Sequence, residues 1–466
     1  MVAGPMSPYL KEARATALLA LPMIVGQLGQ ILMGMADSVM IGWVGTVPLA
    51  ASAFAGTLFA MVLIVGSGLL VPVAVLVSRA HGARDDEEAG IWLRHGLALG
   101  GAVGLAGMLV LLGIGTQLHR FGQSPEVVAE VEPYYTIIAV STVPVMLFMV
   151  LRQFAEAMGR PWIPMTIMLV GVLLDIWLNW ILIWGNWGAP ALGLAGAGWT
   201  TLFSRTLGVV VLFLLLRRRE DLAKAWPFGR GPLASGWSVL TRTRFVTMAR
   251  IGVPAAGMLL FEVGAFSAAA VMVGWLGASS LAAHQIALSC ASFTFMFPLG
   301  LSTATSMRLS RAIGASEFAA LRPIGFSSMA MAAAVMTLFA LIFALGGRAI
   351  ATGFVTDLEV VALAGRLLLV AAIFQLFDGV QVVGVGALRG LSDLKLPAII
   401  TFVAYWLIAL PGGYLLGAKG PFGAVGVWGA LAAGLAFAAV FLTWRFARLT
   451  RPEQSFVGDA SRPVLP

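Results

Sequence analysis

Twelve long apolar runs fill most of this 466-residue chain and constrain its fold more than any other feature. A run of about 20 apolar residues is long enough for a helix to cross a bilayer, and none of these runs shows the alternation of a barrel strand. Hydrophobic residues make up 60% of the chain and charged residues 11%, too few to cover a water-soluble domain. The sequence therefore predicts an all-α integral membrane protein. The predicted spans are 15–41, 50–78, 91–116, 133–151, 161–184, 193–216, 247–274, 281–307, 324–346, 360–388, 396–417 and 422–446.

The basic residues predict the orientation of the helices. When the spans are laid out alternately, 24 of the 29 lysine and arginine residues fall on one side, which the positive-inside rule assigns to the cytoplasm. Both termini are then cytoplasmic. We attribute the net charge of +8 to this topology, with a secondary attraction for anionic lipid, and not to nucleic-acid binding.

The sequence repeats itself at one constant, gap-free offset, which places Pro22 on Pro254. At this offset Gly42-Trp43 matches Gly274-Trp275, and Ser78-Arg79-Ala80 matches Ser310-Arg311-Ala312. A six-helix unit that occurs twice enters the membrane from the same side each time, so the repeats are parallel. We predict two lobes around a central cavity. The predicted domains are an N-terminal lobe (1–216, helices 1–6), a basic cytoplasmic linker (217–246), a C-terminal lobe (247–448, helices 7–12) and a disordered cytoplasmic tail (449–466).

Four carboxyl residues lie deep inside the apolar runs. They are Asp37, Asp175, Glu262 and Asp378. An ionised acid at bilayer depth is costly and is usually found facing a protein cavity, so each marks a candidate functional site. At the repeat offset Asp37 falls on Ala269, and Glu262 and Asp378 also fall on uncharged residues. This asymmetry favours function over structural capping and predicts transport of ions or cationic solutes.

The spacing of the polar residues suggests how a cation is held. Asp175 and Asn179 are four residues apart, hence on one helix face, and both can turn toward a lumen shared with Asp37. A carboxyl group in such a cavity can exchange a proton for another cation. Na⁺ needs several oxygen ligands, and Glu262 with Asp378 can supply some of them as a metal site. The choice between Na⁺ and H⁺ stays open.

Aromatic and methionine side chains near the acids are candidates for a substrate-binding wall. Flat cations bind such surfaces through stacking and cation–π contacts. For each single residue, packing against another helix or contact with lipid remains the alternative to substrate binding. The candidates are Met33, Met35, Phe261, Phe266, Phe293, Phe374 and Phe377.

Two other polar residues inside spans need partners. Arg205 is the one basic residue at mid-span, and we expect an ion pair with Glu156 or a contact with a backbone carbonyl, because a cation beside the substrate would repel it. His284 lies near the outer start of a span. We expect interfacial hydrogen bonding there, with a gating or protonation role as the alternative.

Several motifs resemble one transporter family in colinear order from about residue 15 to 445. The segments are Gly34-Met35-Ala36-Asp37-Ser38, Leu260-Phe261-Glu262-Val263, Leu281-Ala282-Ala283-His284-Gln285-Ile286-Ala287-Leu288, Phe377-Asp378-Gly379-Val380-Gln381 and Ala387-Leu388-Arg389-Gly390. They are similar to the multidrug and toxic compound extrusion (MATE) family, and within it to the NorM-type bacterial transporters.

The resemblance implies a two-lobed, V-shaped antiporter of the bacterial inner membrane that expels cationic, often aromatic drugs in exchange for Na⁺ or H⁺. It implies cation coupling by Glu262 and Asp378, and proton or substrate exchange by Asp37. A polar cluster in spans five and six would place Asp175, Asn179 and Thr201 beside Asp37. The NorM-type pattern more often has Asn at position 175, which adds to the open question of the coupling ion. We expect a monomer in the lipid bilayer without a cofactor.

Other functional classes fit the sequence less well. A flippase for lipid-linked precursors shares the repeat architecture, but it would need several basic residues in its cavity to bind pyrophosphate. An intramembrane enzyme is disfavoured because no Ser/His or metal-ligand cluster occurs at span depth. A passive channel is disfavoured because single buried acids in two lobes suit alternating access better than a pore ring.

Overall fold

The computed structural model describes residues 7–222, 225–226 and 239–451. Most of the predicted tail (449–466) and the middle of the predicted linker (217–246) lie outside the described residues. Within the described ranges the chain is helical and contains no β-strand. In the described part of the chain, twelve helices are long and apolar enough to cross a membrane: α1 (Pro8–Val44), α2 (Thr46–Gly82), α3 (Asp86–Gly115), α4 (Pro125–Ala157), α5 (Trp162–Trp184), α6 (Gly193–Arg217), α7 (Arg242–Gly274), α8 (Ala278–Gly314), α9 (Phe318–Thr352), α10 (Leu358–Gly390), α11 (Lys395–Ala418) and α12 (Gly423–Leu449).

The predicted twelve-span, all-α fold is confirmed, and the helices extend past the predicted spans at most ends. The largest difference is α4, which was expected over 133–151 and runs from Pro125 to Ala157. Its extra turns are polar, and a helix can continue into the interface once its end is capped. Capping is clear at α3, where Asp85 accepts a hydrogen bond from the Glu88 amide at 2.9 Å, and at α10, where Asp357 accepts from the Glu359 amide at 2.8 Å.

The internal repeat is visible in the helix bounds. Helices α2 and α8 begin and end at equivalent positions of the repeat, with the same separation as Pro22 and Pro254. The remaining pairs, α3 with α9 through α6 with α12, follow at nearly the same offset. One local feature belongs to the first copy alone. Helix α4 is interrupted at Ser141, between segments Pro125–Val140 and Thr142–Ala157, because Pro144 has no N–H to bond the Val140 carbonyl.

The contacts divide the chain into two compact units. The first unit is Val25–Ala256, and the second unit is Met1–Ile24 together with Gly257–Pro466. The boundaries therefore cut α1 and α7 at equivalent positions of the repeat, each two residues after a proline, Pro22 or Pro254. The beginning of α1 packs with the second repeat, and the beginning of α7 packs with the first. The predicted lobes (1–216 and 247–448) do not include this exchange, and their boundaries stay a prediction.

Each unit has its own apolar core. In the first unit, α2 packs against α3 and α4, and α5 packs against α6. In the second unit α10 is central and packs against α8, α9 and α12. Small residues allow this close approach: Gly386 of α10 lies against Ser302 of α8, whose hydroxyl donates to the Val382 carbonyl at 2.7 Å. The helix that carries Asp378 is thus packed against three other helices of its unit.

Candidate functional site

The first unit brings two of the predicted acids together through one amide. Asn179 Nδ2 donates to Asp37 Oδ1 at 2.7 Å and to Asp175 Oδ2 at 3.1 Å. Asp175 and Asn179 are fully buried on one face of α5, and Asp37 on α1 is partly exposed. We call Asp37, Asp175 and Asn179 the first acidic site. Because both hydrogens of the amide are used, the two carboxyl groups are held close to each other and their charges repel.

The first acidic site retains unused polar atoms. Asp175 Oδ1 and Asn179 Oδ1 are buried and have no hydrogen-bond partner among the described residues. The hydroxyl of Ser204 lies near Asp175 and is likewise unbonded in the described part of the chain. A water molecule, a proton or a cation placed between these three buried oxygens would satisfy their hydrogen-bonding capacity.

Thr201 lies on the same helix as Ser204 but does not bond to the acids. Its hydroxyl is buried and donates to the Ala197 carbonyl of its own helix at 2.9 Å. The hydrogen is therefore already used, and only the lone pairs of the oxygen are available to a ligand. A direct role of Thr201 in cation coupling stays a prediction.

The expected pairing of Arg205 with Glu156 is wrong. Glu156 accepts from Arg152, one turn earlier on α4, at 2.8 Å. This pair forms because residues four apart face each other on a helix. Arg205 instead donates from Nη1 to the Ser141 hydroxyl at 2.6 Å, and its guanidinium lies 4.7 Å from the centre of the Phe59 ring.

The second unit brings together the other two predicted acids. Glu262 of α7 and Asp378 of α10 interact electrostatically, and Asp378 is 4% exposed. Arg389 on α10 also acts on Glu262 through its charge. The hydroxyl of Tyr405 lies close to Glu262, although it makes no hydrogen bond of normal geometry with any described residue. We call Glu262, Asp378 and Tyr405 the second acidic site.

Sequence reasoning missed Tyr405 and the glutamines that flank Asp378. Tyr405 lies in a π-helical stretch of α11, Val403–Ala409, a distortion that is frequent at functional sites. Gln375 and Gln381 lie about one turn on either side of Asp378, are buried, and have side-chain atoms without partners in the described part of the chain. The indication of Tyr405 in the sequence was weak: it is one of five tyrosines in the chain and lies inside an apolar run.

The residues predicted to form a substrate-binding wall differ in their burial, and some of them belong to the core of the second unit. Phe374 is 2% exposed and packs 6.0 Å from the Phe266 ring and 5.6 Å from Trp428, so it belongs to the core of the second unit. Phe266 also contacts Tyr405, with ring centres 6.1 Å apart. Phe293 is half exposed. A role in substrate binding stays a prediction for all of these residues.

The remaining candidates lie at different depths. Phe261 packs 5.1 Å from the Phe402 ring, and Phe377 packs against the core of the second unit. In the first unit Met33 is partly exposed and Met35 is 59% exposed on α1. Exposed side chains on a membrane-spanning helix face either lipid or a cavity, and among the candidates Met35 and Phe293 expose the largest fraction of their surface.

His284 is buried in the core of the second unit and is not at a solvated interface. Trp428 Nε1 donates to His284 Nδ1 at 3.0 Å. Because Nδ1 accepts, the neutral ring carries its hydrogen on Nε2, and this atom has no partner among the described residues. The expected hydrogen bond is present, but its partner is a core tryptophan.

The fold and the two acidic sites define a class: an integral membrane protein whose described residues form twelve long apolar helices in two sequence repeats, with carboxyl groups buried at span depth. The chain belongs to the MatE family, the multidrug and toxic compound extrusion proteins. The family model matches twice, over residues 22–181 and 254–415, and the two matches begin at equivalent positions of the internal repeat.

Similar proteins cover nearly the whole chain. "Probable multidrug resistance protein NorM" of Mesorhizobium japonicum is 35% identical over 96% of both chains. The protein of the same name from Pseudomonas putida is 36% identical over 94% of this chain and 96% of its own. "Multidrug resistance protein MdtK" of Yersinia pseudotuberculosis is 33% identical, over 97% of this chain and 99% of its own.

Solved structures of MATE transporters share the fold. A crystal structure of a MATE protein in a bent conformation superposes with a TM-score of 0.85 at 19% identity, over 97% of this chain and 100% of the other. The eukaryotic MATE transporter AtDTX14 superposes with a TM-score of 0.82 at 22% identity, over 96% of this chain and all of its own. At these identities the likeness shows the fold alone.

Proposed function

We propose that this protein is a secondary active multidrug efflux transporter that exports cationic, often aromatic compounds in exchange for Na⁺ or H⁺. One observation carries the proposal. None of Asp37, Asp175, Glu262 and Asp378 forms an ion pair with a lysine or arginine among the described residues. Acids placed at bilayer depth without a permanent cationic partner are suited to binding a passing cation.

The two acidic sites support exchange in different ways. In the first site two repelling carboxyl groups share one amide, which favours uptake of a proton or of one positive charge. In the second site Glu262, Asp378 and Tyr405 offer several oxygens, which suits Na⁺. No group of three or more His, Cys, Asp or Glu residues forms a metal site in the described ranges, so a Na⁺ ion would also need amide or carbonyl oxygens. Gln375 and Gln381 carry such amide oxygens.

Coupling follows from competition between the ion and the drug. If the outward-facing state binds the ion better than the drug-holding state does, ion binding shifts the population toward drug release. Exchange of one inward cation for one monovalent drug moves no net charge, so the membrane potential, worth about 2.3 kcal/mol per charge per 100 mV, adds no driving force. The driving force is then a chemical gradient or a second ion. We propose that the protein works as a monomer in the inner membrane of a bacterium, with both termini in the cytoplasm.

Ethidium efflux from proteoliposomes with an imposed Na⁺ or H⁺ gradient tests the proposal. Asp37→Asn, Glu262→Gln and Asp378→Asn should each lower gradient-driven efflux by about tenfold or more, because each removes a charge that binds the exchanged cation. Glu126→Gln is the matched control, since Glu126 is exposed in the first turn of α4. The gradient that drives the native chain identifies the coupling ion.

Normal efflux by all three variants under either gradient would refute the site assignment. Uphill movement of a lipid-linked pyrophosphate, with no ethidium efflux, would replace the proposal with the flippase interpretation.

A further inference from the structure

Arg205 lies beside the first acidic site without joining it. It is in the middle of α6, and its charge acts on Asp37, Asp175 and the hydroxyl of Tyr134. These are the titratable groups that face it, from α1, α5 and α4. No carboxylate oxygen of the described residues lies within 4.0 Å of a guanidinium nitrogen of Arg205, so it forms no ion pair there. A guanidinium that served only to neutralise an acid would bond to it directly.

Two contacts hold Arg205 in this position. Its Nη1 donates to the Ser141 hydroxyl at 2.6 Å, and the face of Phe59 lies 4.7 Å from its central carbon. Ser141 is at the interruption of α4, and its own hydroxyl hydrogen goes to the Ile138 carbonyl at 2.7 Å. The oxygen of Ser141 therefore accepts from Arg205 in a fixed direction. The interruption of α4, present in the first repeat alone, supplies this anchor.

The charges of the neighbourhood do not cancel. With Asp37 and Asp175 ionised and Arg205 protonated, a single net negative charge remains. One proton or one monovalent cation then restores neutrality, whereas without Arg205 two positive charges would be needed. Uncompensated charge at this depth is costly, so the number of cations taken up follows the number of fixed charges.

We propose that Arg205 is a specificity-determining residue: a built-in counter-cation, held off the carboxylates by Ser141 and Phe59, that limits the first acidic site to one monovalent cation at a time. This inference rests on the proposed function for its transport consequence. Its charge consequence concerns the chain alone. Substrates with two positive charges are disfavoured at this site because Arg205 already occupies the place of one of them.

The first test counts protons and needs no substrate. Infrared spectroscopy of the purified full chain at neutral pH measures protonated carboxyl groups in the native protein and in Arg205→Gln, Arg205→Lys and Arg217→Gln. Arg205→Gln should add the signal of about one protonated carboxyl per chain, because the repulsion between the two acids is no longer offset. Arg205→Lys keeps the charge and should resemble the native chain. Arg217→Gln, at the exposed end of the same helix, is the matched control.

An assignment step keeps the result specific. The added signal should be absent from Arg205→Gln combined with Asp175→Asn. An unchanged carboxyl signal in folded Arg205→Gln would overturn the proposal, and so would an equal change in Arg205→Lys.

The second test measures charge selectivity. Competition binding to detergent-solubilised protein compares tetraphenylphosphonium, a monocation, with methyl viologen, a dication. Arg205→Gln should raise the affinity for the dication relative to the monocation by at least about tenfold, because the repulsion from one unit charge several ångströms away is removed at an effective dielectric constant near 20. An unchanged ratio would overturn the proposal. If the native chain binds neither cation, the proposed function fails, while the infrared result still decides the role of Arg205.

Discussion

Asn179 connects the two carboxyl groups of the first acidic site, because its side-chain amide donates to both. Asn179→Ala removes the amide that bonds both carboxyl groups, so Asp37 and Asp175 lose their shared donor and can move apart. We expect ethidium efflux to fall by about tenfold and the folded state to lose about 1–3 kcal/mol, the cost of leaving buried acceptors unsatisfied. Asn186→Ala is the control, because the Asn186 side chain donates to the Trp180 carbonyl in an exposed turn. Native-like efflux by Asn179→Ala would contradict the bridging role.

Single residues at bilayer depth were the most predictable part of the candidate site. The cost of an ionised acid in a membrane pointed to the four carboxyl residues, and helix periodicity placed Asn179 on the face of Asp175. The partners of Arg205 were not predictable in the same way. A bond between two helices depends on their rotation and vertical register, which the spacing within either helix does not specify. Ser141 also looked like any small residue of a membrane helix.

The beginning of helix α1 packs with the second repeat and the beginning of α7 packs with the first, which the repeat pattern did not indicate. At its beginning α1 is held in the second unit by Arg308 of α8, which bonds the Glu12 carboxylate and carbonyl and, at 2.6 Å, the Thr16 hydroxyl. At its own beginning α7 is held in the first unit by Arg244, which pairs with Glu88 at 2.5 Å. The repeat offset places Glu12 on Arg244, a residue of opposite charge. The two equivalent positions thus each hold the beginning of a helix through an ion pair, Glu12 as the acidic partner and Arg244 as the basic partner.

Arg308→Gln tests the α1 contact. The change removes three bonds made by one partly buried guanidinium, so the start of α1 should detach more often. Hydrogen exchange of residues 8–24 should speed up by about fivefold to tenfold, corresponding to about 1 kcal/mol. The double change Glu12→Arg with Arg308→Glu should restore part of the protection. Arg311→Gln, one turn away and exposed, should leave exchange unchanged. Equal exchange in Arg308→Gln and the native chain would show that the contact does not hold the helix.

At the scale of the whole molecule the sequence predicted the twelve spans and the duplication well. Span length, apolar composition and the constant repeat offset are properties of the chain itself, and they reappear in the helix bounds. The grouping of helices into units was not predictable, because α1 and α7 each divide between two neighbourhoods in mid-helix. Nothing in the apolar pattern changes at Ile24 or Ala256. Long-range packing alone decides where each helix changes neighbours.

Expression of the chain as two fragments tests this exchange. Residues 1–226 contain the start of α1, which packs with the second repeat, and lack the start of α7, which packs with the first. Fragments 1–226 and 227–466 should each be degraded when expressed alone, because each has an unfilled position in its unit. Coexpressed, they should copurify through a tag on one fragment. Stable, monomeric fragments obtained separately would contradict the exchange.

The arginine that secures the beginning of α1 has a consequence for synthesis. Arg308 follows Glu12 by 296 residues, so at about 5–20 residues per second the ribosome makes it about 15–60 s later. During that interval α1 is already made, but the Glu12 carboxylate and the Thr16 hydroxyl lack the guanidinium that binds them. The beginning of α1 therefore reaches its final neighbours only after α8 has been synthesised.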